Sequence, residues 1–456
     1  MKSQVIQSTE VLKSARLDSW YFLSPGKAAL NNIEKGKKLG FDTSVLGGPE
    51  GIGKVWTPNR IKQALAGIEE HSTPYLRPYD VFNYYPEPSA FISVSRTENF
   101  DSYKLKEGMI LQTCSGRNLG PLIVADKHLS NFVLSNDMIR IEIEDKQLRY
   151  YCLAFLNSQT GRNLLRRDKT GSVVDHISTN QVKNQEVLLF EESIIRKVSS
   201  IIEKSIKFRE YGRLLFKNAL NQYENMLPTL EREKKPCLGW NVVSRSIEGR
   251  LDAAFYDPLV KRVRKALLEN DGFPLVDVAD VMKPGDRYKP RYVNRENGLP
   301  ILSGRQLLQT VPINLRYISP SSFKNVNDYS LHKDWIAYPA DGRVEGELGN
   351  PVIITADREG WLASGHVGRI IPKDKDDLGF LYLALKSQHS QIQIKSRASG
   401  SVVDSTFEDD MERTILPGSM DIDGTKIIEA WENLCEAQML ENQGISMIND
   451  AFQLIN

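Results

Sequence analysis

Hydrophobic positions along the chain fall into two alternating regimes, and each regime occurs twice. From Glu191 to Leu227 no proline intervenes, and Ile194, Val198, Ile201, Phe208, Leu215, Ala219 and Met226 keep one seven-residue frame. That frame predicts a long helix with a single apolar stripe, about 54 Å at 1.5 Å per residue. Residues 424–456 repeat the pattern through Ile427, Trp431, Leu434, Ile445, Ile448, Phe452 and Ile455, with Gln438 and Glu441 interrupting its middle. This second helix would be about 50 Å long. Two helices of matched length and stripe are expected to pack against each other antiparallel.

The remaining segments read differently. Met109-Ile110-Leu111 and Trp335-Ile336-Ala337-Tyr338 run into glycine-rich turns, and Leu122-Ile123-Val124 and Val352-Ile353-Ile354 leave them, which is strand, loop, strand. Tyr150 to Leu165 and Phe380 to Ile394 read as helices. The predicted class is therefore α+β: two tandem bodies, each followed by a long helix, with the helices paired as an antiparallel coiled coil. The expected boundaries are 1–190 for the first body, 191–228 for its helix, 229–243 for a charged, proline-punctuated linker, 244–420 for the second body and 421–456 for its helix.

The bodies are related by duplication. Gly171-Ser172-Val173-Val174-Asp175 recurs letter for letter as Gly400-Ser401-Val402-Val403-Asp404. In the same order, Leu156-Asn157-Ser158-Gln159 matches Leu385-Lys386-Ser387-Gln388, Arg140-Ile141 matches Arg369-Ile370, Gly116-Arg117 matches Gly342-Arg343, and Arg16-Leu17-Asp18 matches Arg250-Leu251-Asp252. An internal repeat of this kind governs the reading of the whole fold.

Composition narrows the class. The chain has 456 residues, 41% hydrophobic and 26% charged, which fits a folded protein of two or three domains rather than a disordered one. No apolar run suggests a signal peptide or a membrane span, so a cytoplasmic protein is expected. Cys114, Cys152, Cys237 and Cys435 form no metal or disulfide pattern. A net charge of +1 means that any nucleic-acid binding must rest on local positive charge.

Catalytic signals are thin. Gly48-Pro49-Glu50-Gly51-Ile52-Gly53-Lys54 imitates a phosphate loop, but Val55 stands where a hydroxyl should hold magnesium, Pro58 opposes a following helix, and no clear apolar strand precedes Gly47. A surface loop touching DNA through Lys54 and Arg60 fits better. Glu144-Asp145-Lys146 has nuclease-like spacing without an upstream metal partner, and the six histidines make no metal set, so neither a catalytic nor a metal site is expected. What repeats is a glycine-and-basic turn, Cys114 to Gly120 and Ala340 to Gly346, and a basic approach to the shared pentapeptide: Arg162, Arg166, Arg167 and Lys169 in one half, Lys395 and Arg397 in the other. Guanidinium groups, Ser172 and Ser401 hydroxyls and glycine backbone amides suit phosphate binding, and arginine also reads guanine.

With these motifs in order, the chain resembles the specificity subunit of type I restriction-modification systems and the similar subunit of type IIB systems. The resemblance spans nearly the whole chain, carried by Leu105 to Gly120, the two Gly-Ser-Val-Val-Asp turns and the two heptad helices. It implies a non-catalytic subunit of an antiviral defence complex, with two target-recognition domains that each read half of a bipartite site in double-stranded DNA. It also implies docking of adenine methyltransferase subunits, which would carry the S-adenosylmethionine, and of a restriction nuclease or translocase subunit. This chain would hold no cofactor. Expected DNA contacts are Lys54, Arg60, Arg117, Asn118, Arg166, Arg167, Lys169, Ser172, Arg343, Lys395, Arg397 and Ser401. Expected partner contacts are Ile194, Val198, Ile201, Phe208, Leu215, Trp431, Leu434, Ile445, Ile448 and Phe452. The alternative is a repeat-built scaffold that reads no bases.

Overall fold

The computed structural model describes residues 5–455 apart from 24, 61–64, 67–71, 89, 117–118, 171–174, 231–238, 286–287, 401 and 419–421. The chain divides into two compact units, Met1–Glu210 with Glu436–Asn456, and Tyr211–Cys435.

Both units are α+β and share one plan. In the first, strand Lys54–Trp56 lies beside Met138–Glu142, then Ile110–Thr113, then Ile123–Val124, every pairing antiparallel. In the second, Ala279–Met282, Val367–Pro372, Ile336–Pro339 and Val352–Ile353 take the same order. A further sheet in each unit ends in a parallel pairing, Ser72–Leu76 with Val133–Leu134 and Leu299–Leu302 with Leu362–Ala363. Two short ladders complete each set: Asp42–Val45 with Glu186–Leu189, matched by Phe273–Pro274 with Ile415–Leu416, and Ser115–Gly116 with Asp175–His176, matched by Asp341–Gly342 with Asp404–Ser405. The duplication seen as scattered letters is thus a duplication of strand order.

Strands Ile110–Thr113 and Ile336–Pro339 are buried along their whole length, which is why the runs Met109 to Leu111 and Ile336 to Tyr338 show no alternation, while the buried Gln112 amide donates to the Thr113 and Gly120 carbonyls at 3.0 and 3.3 Å. In the first unit Ile110, Ile139 and Ile141 share a core with Tyr151, Phe155 and Leu156 of helix Lys146–Asn157.

The helices read at Tyr150 to Leu165 and Phe380 to Ile394 are each two helices. Lys146–Asn157 is followed by Gln159–Arg167, and Leu378–Lys386 by Gln388–Arg397. The break is a serine. The Ser158 Oγ accepts the Gly161 N–H at 3.2 Å and donates to the Phe155 carbonyl at 2.6 Å, and Ser387 does the same with Ser390 at 3.3 Å and Ala384 at 2.7 Å. Each hydroxyl ends one helix and caps the next, while the apolar period runs through undisturbed.

The long helices are Glu192–Met226 and Thr425–Leu454. Within the first unit, residues 192–210 and 436–454 are antiparallel: Gly444 meets Ile202, whereas the later Ser205 donates to the earlier Ala437 carbonyl at 2.6 Å. Ile448, Ala451 and Phe452 enter the first unit's core, and the Phe452 ring lies 5.1 Å from Phe190 and 5.9 Å from Phe155. Within the second unit, Gly212 abuts Ala430 and Leu434, and the Phe216 ring lies 6.5 Å from Trp431 and 5.9 Å from Tyr382. The interruption of the stripe at Glu441 is filled by Arg209, whose guanidinium forms a buried ion pair with the Glu441 carboxylate. Among the described residues no helix is long and apolar enough to cross a membrane.

Candidate nucleic-acid interface

In each unit two turns far apart in sequence lie side by side. The ladder of Ser115–Gly116 with Asp175–His176 joins the glycine-and-basic turn to the end of the pentapeptide, and Asp341–Gly342 with Asp404–Ser405 does so again. Backbone bonds between Thr170 and His176 at 2.7 and 2.8 Å, and between Ser399 and Ser405 at 2.9 and 3.0 Å, close the pentapeptide loops at their necks. Glycine is required at both places. Gly116 has φ +141° beneath the Tyr79 hydroxyl, and a Cβ on Gly400 would stand 2.0 Å from the Val403 carbonyl oxygen. Beside that carbonyl, Val402 is 88% exposed at the loop tip.

Among the described residues, the expected DNA contacts separate into three groups. Lys54, Arg60 and Arg343 are exposed, with the Lys54 ammonium 5.5 Å from the Trp56 ring. Arg166, Arg167, Lys169 and Lys395 are half-buried. Arg166 donates to the Leu119 carbonyl at 3.4 Å, and burial lowers its pKa. Arg167 pairs with Asp168 at 2.9 Å, and Lys169 pairs with Asp175 at 2.9 Å under the Trp20 ring. Arg397 requires correction as a DNA contact: it is 5% exposed, lies 3.6 Å from Asp410 and stacks on Phe255, so its charge is spent inside the unit. Arg117, Asn118, Ser172 and Ser401 lie outside the described residues.

The repeated Arg-Leu-Asp at the head of each half proves to have a structural partner that the sequence reading missed. Tyr21 lies between Arg16 and Arg167, with guanidinium carbons 5.0 and 4.7 Å from its ring, and Phe255 lies between Arg250 and Arg397 at 4.8 and 5.3 Å. Arg16 also donates to the Asp168 and Lys169 carbonyls at 3.1 and 2.9 Å. The signal was present in the sequence as an aromatic at the same offset after each arginine. These sandwiches anchor the basic helix end that leads into the pentapeptide.

The phosphate-loop lookalike is excluded by its flanks. The strand that precedes Gly47 is the polar, only partly buried Asp42–Val45 rather than an apolar one, and Lys54 opens strand Lys54–Trp56 rather than a helix. Asp145 of the nuclease-like triplet is a helix cap that accepts the Leu148 N–H at 2.6 Å.

Of the expected partner contacts, Ile194, Ile201, Phe208, Leu215 and Ile445 are half-buried. Val198, Trp431, Leu434, Ile448 and Phe452 are closed within the units' own cores, which corrects their assignment to an outside partner. The helix positions facing water include Tyr211 and Leu214, large and about half exposed.

Beside the second unit's turn pair lies a cavity of about 1020 Å³, lined by Lys283, Tyr288, Asp341, His366, Phe407 and Glu408 among others. The Lys283 ammonium donates to Asp341 Oδ1 at 2.8 Å and to the Thr406 carbonyl at 3.2 Å, and its backbone N–H donates to Glu408 at 2.6 Å. His366 Nδ1 bonds the other Asp341 oxygen. Burial pushes the Asp341 pKa up, but hydrogen bonds from Lys283, His366 and Ser405 outweigh it and hold the group below the usual carboxylate range.

No family model and no curated protein matches this sequence. Among solved structures, the S subunit of a type I restriction-modification system from M. genitalium is similar at 12% identity and a TM-score of 0.29, over 91% of this chain and 94% of that one. The HsdS subunit from Thermoanaerobacter tengcongensis is similar at 13% identity and a TM-score of 0.27, over 84% and 90%. A structure describing complex assembly and conformational transition of the type I R-M system is similar at 13% identity and a TM-score of 0.28, over 91% and 97%.

Proposed function

We propose that this chain is the non-catalytic DNA-specificity subunit of a restriction-modification complex. Its two recognition domains, 1–190 and 244–420, each read one half of a bipartite duplex target. The helices 191–228 and 421–456 set the spacing and present their water-facing sides to adenine methyltransferase subunits. The observation that carries this reading is the turn pair built twice: a glycine-and-basic turn laddered to a closed pentapeptide loop, in both units and in the same register. Two copies of one device on one chain suit a ligand that is itself a repeating polymer, and the diverged surroundings suit an asymmetric target. Lys54, Arg60 and Arg343 are the proposed phosphate contacts, with Arg166, Arg167 and Lys169 holding the turns in place.

The test is the adenine methylation pattern of the host genome with and without this chain. Loss of a single bipartite mark is the expected result. A methylome unchanged on deletion, in a host whose neighbouring methyltransferase is active, overturns the proposal in favour of a scaffold.

A further inference from the structure

We propose that the cavity beside the second unit's turn pair is where that unit reads its half-site, and that it accepts a base presenting an exocyclic amino group, cytosine or adenine. The inference rests on the DNA-specificity reading above and names the residues that would carry it.

Ladder register locates the equivalent place in both units. Trp56 faces Arg140 and Met282 faces Arg369, so Thr57-Pro58 and Lys283-Pro284 are equivalent strand exits. Ser115 precedes the laddered Gly116 as Asp341 precedes Gly342. Asp137 precedes Met138 as His366 precedes Val367, and these strand residues face Thr113 and Pro339 in turn. At Lys283-Pro284 a cavity of about 1020 Å³ opens onto Asp341 and His366, whereas the cavity of about 410 Å³ at Thr57-Pro58 is lined by Asn99 to Tyr103 and not by Ser115 or Asp137. The framework is the same, yet the chemistry on it differs: Lys283, Asp341 and His366 stand where the first unit has Thr57, Ser115 and Asp137. Groups shared by the repeats, such as the pentapeptide, would meet what is common to both halves of a target. Groups that differ on a shared framework are the ones able to distinguish one half from the other.

The hydrogen bonds define what the second cavity offers. The Lys283 ammonium is turned inward onto Asp341 and the Thr406 carbonyl. Asp341 fixes the His366 proton on Nδ1, so in the neutral imidazole Nε2 is left as an acceptor on a side chain 72% exposed. Glu408 and Asp409 add carboxylates to the same lining. Among the described lining residues the carboxylates of Asp341, Glu408 and Asp409 outnumber the one ammonium, so acceptors and negative charge predominate. Such a lining repels phosphate and suits the amino group of cytosine N4 or adenine N6. Tyr288 and Phe407 supply apolar walls.

The experiment compares genome methylation in cells carrying the wild-type chain, Asp341→Asn or His366→Gln, each with the complete complex. His366→Gln alters a side chain that is 72% exposed, so the fold is expected to stay intact, as circular dichroism of the variant would check. In both variants one half of the bipartite mark is expected to degenerate at a position where the wild type requires cytosine or adenine, with discrimination falling roughly tenfold or more and the other half unchanged. If His366→Gln keeps both halves at wild-type stringency, or the degenerate position requires guanine or thymine, this inference is overturned while the DNA-specificity reading stands. If the wild type itself directs no bipartite mark, the underlying reading fails and the inference falls with it.

Discussion

Arg140 and Arg369 show how much a single side chain does here. Both are fully buried, with no acidic partner among the described residues. Arg140 donates to the Met138 and Leu134 carbonyls at 3.0 and 2.9 Å, and Arg369 to those of Val367, Tyr329 and Ala363, the last two at 2.8 and 3.0 Å. Burial pulls both pKa values down to about 10, which still leaves the guanidinium charged at neutral pH. Each therefore ties the main sheet of its unit to the end of the neighbouring sheet. Replacing Arg140 or Arg369 with methionine strands those carbonyls at about 1–3 kcal/mol each, so urea denaturation should show the affected unit weakened by several kcal/mol. A loss below 1 kcal/mol would contradict this role. Arg343 is the opposite case, exposed at the turn. Arg343→Ala in the assembled complex should lower the salt slope of duplex binding by about 0.9 while leaving the target sequence unchanged. Sequence alone matched Arg140 with Arg369 as letters of a repeat but had no means of telling a sealed arginine from a DNA contact. The same blindness placed Arg397 on the DNA: charge is visible in a sequence, whereas the backbone carbonyls and rings that consume it arrive only with the fold.

Among elements, the long helices were legible to within two residues at three of their four ends, the second starting four residues after its expected boundary, because proline-free length and a heptad stripe are local properties. The paired shorter helices were not, since their break is one hydroxyl in an unbroken apolar period. The repeat itself held the clue, for Ser158 and Ser387 lie inside matched quartets. Ser158→Ala and Ser387→Ala should each cost about 1 kcal/mol by thermal or chemical unfolding. Arg209 with Glu441 is a second such site. Removing either partner alone leaves a buried charge and should cost about 3–5 kcal/mol. The double replacement Arg209→Met with Glu441→Leu should be near neutral in stability. The polar interruption in the second stripe was readable, but its partner on the other helix was not.

For the whole molecule, the strand order of both units and their common turn pair were only partly foreseeable. The central strand, loop, strand motifs and the pentapeptides were read correctly as repeated, yet nothing local to the sequence says that the two turns share a ladder, because pairing between distant segments leaves no periodic trace. Nor could the sequence show that Glu436–Asn456 belongs with Met1–Glu210. Truncation after Cys435 should therefore unfold the first unit while sparing the second, as hydrogen exchange resolved by segment would reveal. Uniform loss of protection in both units would refute that division.

The same closure by a late segment imposes an order in time. On the ribosome, at about 5–20 residues per second, residue 436 follows residue 210 by on the order of 10–45 s. For that interval the first unit lacks Ile448, Ala451 and Phe452, and the apolar surface they cover stands open to water or to a chaperone. The second unit has all its residues as soon as Cys435 is made. The half synthesised first is thus the half that finishes folding last.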